Sequence, residues 1–356
     1  MLPFINQSIS LKDKILFYES TANLLEGGIT ILWALKWLAS RTPPGKLHDT
    51  LDNTIFFIES GDALNIAMRK FPNFYTEKEI AIIESGEQTG MLKDSFQAIA
   101  VDLRTQEDLR RKVIGALTYP FVILFFLALA LTVVMTYVVP QIMPIIAEMN
   151  ATPSISTRSL IWVSNFFRHN LIFLIIIIFA GSMIFRGYVM TDSGKLWFDR
   201  TKLYMPIIGM VYKNFLVVQV MSTYQLLASS GVSIVKTLKL TGASAGNVEV
   251  WNMYMHMANE VSKWKKISEA MLDADKIGYF FTSDIIQMVE SAEKTSTIHQ
   301  TSKKISEQYR REVDASLAVM VKLIEPMALL MAGVFVLWFA IAIFSSIMQV
   351  VSLAGV

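Results

Sequence analysis

Residues 80–120 and 286–326 align without a gap, and 11 of the 41 pairs are identical. Ile80, Glu84, Ser85, Glu87, Thr89, Ile99, Arg104, Asp108, Val113, Leu117 and Pro120 match Ile286, Glu290, Ser291, Glu293, Thr295, Ile305, Arg310, Asp314, Val319, Leu323 and Pro326. Both copies pass from a Glu-Ser-x-Glu-x-Thr turn through a polar helix and a basic stretch into a long apolar run that begins near a proline. The repeat unit is therefore a soluble helical module fused to a membrane helix, and any fold must accommodate two of them.

A second, slightly offset match extends the repeat toward each module's start, pairing Leu24, Gly28, Ile31, Leu35 and Lys36 with Leu227, Gly231, Ile234, Leu238 and Lys239. A helix that ends at Gly28 or Gly231, followed by an apolar residue, a Thr30 or Ser233 N-cap and a new apolar-periodic helix, predicts a helix-turn-helix corner. Both modules read as helix bundles.

The distribution of charge locates the membrane. No charged side chain occurs in the 35 residues between Lys112 and Glu148, and none in the 31 residues after Glu325. Each run exceeds the roughly 20 apolar residues needed to cross a hydrocarbon core. A shorter run from Leu171 to about Met190 predicts a further span, with Arg186 near its end where the side chain can snorkel to the interface. With a mean hydropathy of +0.45 and 62 charged residues, the chain reads as an all-α polytopic membrane protein. It has two repeated cytoplasmic helical bundles and three transmembrane helices. The boundaries predicted are 1–112 for the first bundle, 113–139 for the first span, 140–170 for a short, turn-rich exterior connection and 171–190 for the second span. The second bundle then occupies 191–322, the third span 323–350 and an exterior tail 351–356.

Basic residues set the orientation: 13 precede the first run, two (Arg158 and Arg168) lie in the connection, and 17 lie from Arg186 to Lys322. The positive-inside rule puts both modules and the N-terminus in the cytoplasm and the C-terminus outside. The N-terminal residues show no basic and apolar signal pattern, so the spans are expected to serve as insertion signals.

Several function classes are disfavoured. The chain has no cysteine, which rules out disulfides, thiolate metal sites and cysteine nucleophiles. There is no Gly-x-x-x-x-Gly-Lys-Ser/Thr loop. His48, His169, His256 and His299 lack zinc-ligand spacing. A net charge of +2 gives no case for nucleic acid, and Lys263 to Lys266 reads as a solvated helix face. No catalytic residue, cofactor site or metal site is predicted.

The candidate interaction residues are Glu84, Gly86, Glu87, Gly90, Glu290, Glu293 and Glu325. Glu87 and Glu293 read either as contacts for a basic partner surface or as carboxylates that stabilise the N-terminus of the following helix. Glu84 and Glu290 carry the same two readings. Gly86 and Gly90 suit a tight turn or close helix contact, yet Ala292 and Ser296 replace them in the second copy. Glu325 reads as an interfacial carboxylate or as a contact for a positively charged partner. Pro120, Pro326, Gly28 and Gly231 are structural, the prolines suiting the first turn of a helix and bending it when deeper. A sensory or signalling membrane protein is the rival reading, although the short exterior connection with Pro140, Pro144 and Pro153 offers little room for a ligand domain.

In order, duplication and coupling to the spans, these motifs resemble the inner-membrane platform family of type II secretion (protein F) and type IV pilus (PilC-like) machines. The residues carrying the resemblance are Glu84 to Leu92 (ESGEQTGML), Ala116 to Pro120 (ALTYP), Leu323 to Pro326 (LIEP), and the paired segments LLEGGIT and LLASSGVS. The resemblance covers nearly the whole chain. It implies a nonenzymatic scaffold whose cytoplasmic modules engage a hexameric assembly ATPase and whose membrane part contacts pilin or pseudopilin subunits and other inner-membrane assembly components. It also implies a bacterial inner-membrane location and a homo-oligomer. The first module begins near residue 10, as in the shorter pilus-type branch, which favours a type IVb pilus system.

Overall fold

The computed structural model describes residues 9–141, 144, 155–206 and 208–353, and helix is the sole regular structure among them. Pro153 of the predicted connection and the last three residues of the predicted tail lie outside the described residues. The first repeat comprises α1 (Leu11–Glu26), α2 (Ile31–Arg41), α3 (Lys46–Glu59), α4 (Leu64–Arg69), α5 (Glu77–Thr89) and the start of α6 (Leu92–Val133). After α7 (Ile155–Val189) and α8 (Asp192–Tyr204), the second repeat gives α9 (Ile208–Ser229), α10 (Ile234–Ser244), α11 (Val248–Ser262), α12 (Ile267–Ala274), α13 (Ser283–Thr295) and α14 (Ile298–Leu353). Thus α9 to α14 answer α1 to α6 one for one.

Local chemistry sets the helix ends. Gly28 and Gly231 adopt φ of +79° and +77°, the left-handed geometry that a glycine takes without steric cost, so the predicted corners form. Thr30 and Ser233 occupy the expected N-cap positions, but neither side chain bonds its helix. A reciprocal capping box starts α5: Glu79 N–H donates to Thr76 Oγ1 at 3.4 Å and Thr76 N–H donates to Glu79 Oε2 at 3.0 Å.

Contacts divide the chain into two compact units, Met1–Lys112 with Asp199–Asp314, and Val113–Phe198 with Ala315–Val356. The soluble parts of both modules thus share one folded body. Its aromatic centre joins Phe17, Tyr18, Phe74, Tyr75 and Phe96, with ring centroids 4.6 to 6.2 Å apart. Burial of each such side chain contributes about 1.5–3 kcal/mol, and edge-to-face ring contacts add to it. Leu226 and Leu227 of α9 belong to the same cluster, and Val232 and Leu240 pack on it, so the second repeat helps to build the core of the first. The buried carboxylate of Glu79 is neutralised by Lys14 at 2.8 Å and accepts from Tyr18 Oη at 3.1 Å. Burial, and then the charge of Glu79, push the Tyr18 hydroxyl pKa well up.

In the second unit, Met135, Val139, Leu160 and Ala342 form a small core flanked by Val163, Phe167, Phe335, Trp338 and Phe339. Helix α6 passes into a π turn at Val134–Val138, and the Met135 carbonyl accepts from Ser164 Oγ at 2.6 Å. Thr157 Oγ1 donates to the Ala342 carbonyl at 2.7 Å, and Trp338 Nε1 to Ser159 Oγ at 3.3 Å. Where no water competes, such small hydroxyls tie apolar helices together.

Leu92–Gln141 and Ile298–Ser345 are long and apolar enough to cross a membrane. The predicted second span falls on α7 as far as Val189. Among the described residues the candidate spans number two, or three if the bent pair Ser193–Tyr204 and Ile208–Ser229 counts as one. Two local expectations are corrected. Glu84 to Thr89 do not form a turn but lie in α5, because the capping box starts that helix upstream and it ends at Gly90. Residues 155–170, expected in a turn-rich link, belong to α7. Of the two placements open to the prolines, Pro120 and Pro326 take the deeper one, inside α6 and α14, since those helices begin at Leu92 and Ile298 and continue through them.

Candidate functional site

The predicted interaction residues concentrate on α5 and its counterpart α13, and the structure gives most of their polar atoms partners within the chain. Glu87 accepts hydrogen bonds from the backbone N–H of Leu64 at 2.9 Å and of Asn65 at 3.2 Å. It caps α4, a helix that precedes it, rather than the following helix suggested by the sequence. Glu293 repeats this arrangement on α12, accepting from the N–H groups of Ile267 and Ser268, the latter at 3.2 Å, and from Ser268 Oγ. Four otherwise unpaired helix donors thus meet two carboxylates at the positive ends of their helix dipoles.

Gly86 and Gly90 have separate reasons. A Cβ on Gly86 would lie 2.9 Å from Ser95 Cβ and 3.2 Å from the Met91 carbonyl, closer than side chains pack. Gly90 ends α5 in the left-handed conformation, φ +74°, and its N–H bonds the Gly86 carbonyl. Ser296 ends α13 in the same conformation, φ +55°. The second copy therefore keeps the turn with a serine, at a steric cost of about 1–2 kcal/mol for a residue with Cβ.

Glu84 and Ser85 bind the second repeat. Glu84 pairs with Arg69 at 3.3 Å and with Lys236 of α10 at 2.8 Å. Ser85 Oγ donates to the Ser230 carbonyl beside Gly231, where a Cβ on Gly231 would meet Ser85 Oγ at 3.5 Å. Helix α5 is thus seated on the glycine corner between α9 and α10. Arg69, Ser230 and Lys236 were not singled out from the sequence. Ser85 was visible only as an identical pair with Ser291, a signal that did not reveal what it touches.

Glu290 is exposed and pairs with Lys294 one turn away at 2.8 Å; that hydrogen bond holds its carboxyl pKa below the ordinary range. Next to it, an open groove of about 590 Å³ is lined by Tyr224, Ile234, Lys266, Glu290, Glu293 and His299 among others. Glu325 is exposed on α14 and belongs to the second unit. No group of three or more metal-ligating side chains occurs among the described residues.

The family model for type II secretion system protein F matches residues 17–140 and 222–345, one match on each repeat. The type IV pilus assembly protein PilC of Thermus thermophilus is 28% identical over 335 residues, covering 94% of this chain and 82% of that protein. PilC of Pseudomonas aeruginosa is 23% identical over 346 residues, covering 96% and 91%. The type II secretion system protein F of the same organism is 24% identical over 350 residues, covering 98% and 85%.

Proposed function

The chain belongs to the type II secretion system protein F family, and from that premise we propose that it is the inner-membrane platform of a type IV pilus or type II secretion machine. The cytoplasmic unit receives an assembly ATPase, and the apolar helices guide pilin or pseudopilin subunits out of the bilayer into a filament. The role is nonenzymatic: the platform transmits work done elsewhere. Both modules face the cytoplasm and the C-terminus faces outward, in keeping with the basic residues that flank the apolar runs.

The observation that carries this reading is that both family matches end within apolar helices long enough to span a membrane, so each repeat joins soluble and membrane parts. A displacement of the soluble part has a helical path toward the bilayer. Glu325, close to the start of the last uncharged run, is assigned to the positively charged N-terminal amine of an incoming subunit. The exposed end of α5 around Gln88 is assigned to the ATPase; Glu87 itself is occupied in capping α4.

The cysteine-free background allows a direct test. A single Gln88→Cys variant carrying a thiol-reactive crosslinker, in native membranes, is expected to capture a cytoplasmic ATPase identified by mass spectrometry. Labelling from outside intact cells would overturn the orientation. Labelling only from the cytoplasmic side with no ATPase captured would overturn the assigned contact.

A further inference from the structure

Each repeat carries two complementary surfaces, an acidic helix (α5 or α13) and a glycine corner (α1–α2 or α9–α10). Inside the chain one of each is used, with α5 of the first repeat docked on the corner of the second through Ser85, Glu84 and Lys236. Val232 at that corner is packed against the core of the first repeat. The other two surfaces remain over. Among the described residues, no hydrogen bond or ion pair joins α13 to α1 or α2.

The unused corner has the features of a covered surface lacking its cover. Ile29, which answers Val232, is 40% exposed, and Trp33 and Trp37, one and two turns along, are 68% and 41% exposed. Trp33 and Trp37, at i and i+4 of α2, share a face, and Ile29 lies just before the N-cap of that helix. Solvent-exposed aromatics grouped this way mark interaction surfaces. The unused helix keeps the residues that dock its counterpart: Glu290 and Ser291 stand where Glu84 and Ser85 do, and both are exposed.

We propose that α13 of one chain docks on the α1–α2 corner of a second copy, reproducing between chains the contact that α5 makes within one. Ser291 Oγ then donates to the Gly27 carbonyl as Ser85 Oγ does to Ser230. Trp33 stands in the place of Lys236, so burial of an indole replaces the ion pair. Gln287 occupies the position of Ala81, so α13 carries a polar side chain where α5 carries an apolar one. The two surfaces differ, so the association is head to tail rather than two-fold. Copies confined to one bilayer cannot climb as a filament, and such a series forms a ring where the rotation per copy closes. The inference needs the membrane placement but neither the ATPase nor the pilin contact.

The test uses the full-length chain in native membranes. One differently tagged copy carries Gly27→Cys and the other Ser291→Cys, and a short bismaleimide links thiols in contact. A chain with Ser85→Cys and Ser230→Cys reports intact internal docking. A crosslinked species bearing both tags is expected from the mixed pair. It should fall at least fivefold when Trp33→Glu, which sets a like charge against Glu290, is added to the Gly27→Cys chain, while Trp33→Glu leaves the internal crosslink unchanged. Adducts between two Gly27→Cys chains or two Ser291→Cys chains in place of the mixed adduct would show two-fold association and overturn the proposal. So would absence of the mixed adduct while the internal control links, or a mixed adduct indifferent to Trp33→Glu.

Discussion

Replacing Glu87 or Glu293 with alanine should act through stability before it acts through any partner. Each substitution strips the acceptor from the first donors of a helix, two N–H groups for Glu87 and two N–H groups plus a hydroxyl for Glu293. A hydrogen bond to a charged group contributes about 1.5–3 kcal/mol, and the helix-end charge effect adds about 0.3–1 kcal/mol. Both carboxylates are only half-buried, so water recovers part of this. The net loss should be about 2 kcal/mol for Glu87→Ala and slightly more for Glu293→Ala. At about 2–4 °C per kcal/mol for a body of this size, Tm should fall by roughly 4–8 °C. Glutamine keeps a neutral acceptor, so Glu87→Gln should lose about half as much. Glu84→Ala, which breaks only solvent-screened pairs, should lose less than about 1 kcal/mol. Melting of the purified chain in detergent, followed by circular dichroism, gives the ranking. Unchanged melting of both alanine variants, accompanied by loss of filament assembly, would refute the capping account and return these residues to a partner surface.

Ser296→Gly should raise stability by about 1 kcal/mol by relieving the left-handed serine, and Gly90→Ser should lower it by a similar amount; thermal melting reads both. Gly86→Ala should cost about 1–3 kcal/mol through overpacking against Ser95, with Ser95→Gly restoring much of the loss in the double variant. Lys112→Ala removes an exposed pair to Asp314 at 2.8 Å and should change stability by less than about 1 kcal/mol in the same assay. Alkaline stability should decline above about pH 10. Burial raises the hydroxyl pKa values of Tyr18, Tyr75 and Tyr254, so above the unfolded value the unfolded chain releases protons that the folded chain retains. Their contribution is complete below that value and is lost as pH rises. A pH series of melting curves that stays flat from pH 9 to 11 would contradict this.

The repeat, the helical class and the two strongest apolar runs were legible because each is written in periodicity or in an absence of charge. The corners were legible because Gly28 and Gly231 precede apolar helical patterns, and both take positive φ. The targets of the acidic residues were not. Glu87 reaches back 23 positions and Glu84 reaches forward 152, and spacing along one helix cannot reveal partners brought together by tertiary packing. The glycine replacements misled in an instructive way: Ser296 shows that the turn persists without glycine, while Gly86 answers to a neighbour, Ser95, rather than to a backbone angle.

The seating of α5 on the second repeat's corner also separates two concentration regimes. Covalent connection gives an internal contact an effective concentration on the order of mM when the geometry permits closure, so this contact stays shut however sparsely the chain is expressed. A contact of related design between chains must instead be supplied by surface density in the bilayer. Duplication of one module within one chain thereby makes one joint permanent and leaves its counterpart responsive to crowding, so assembly can begin where chains accumulate without any change in the fold of each.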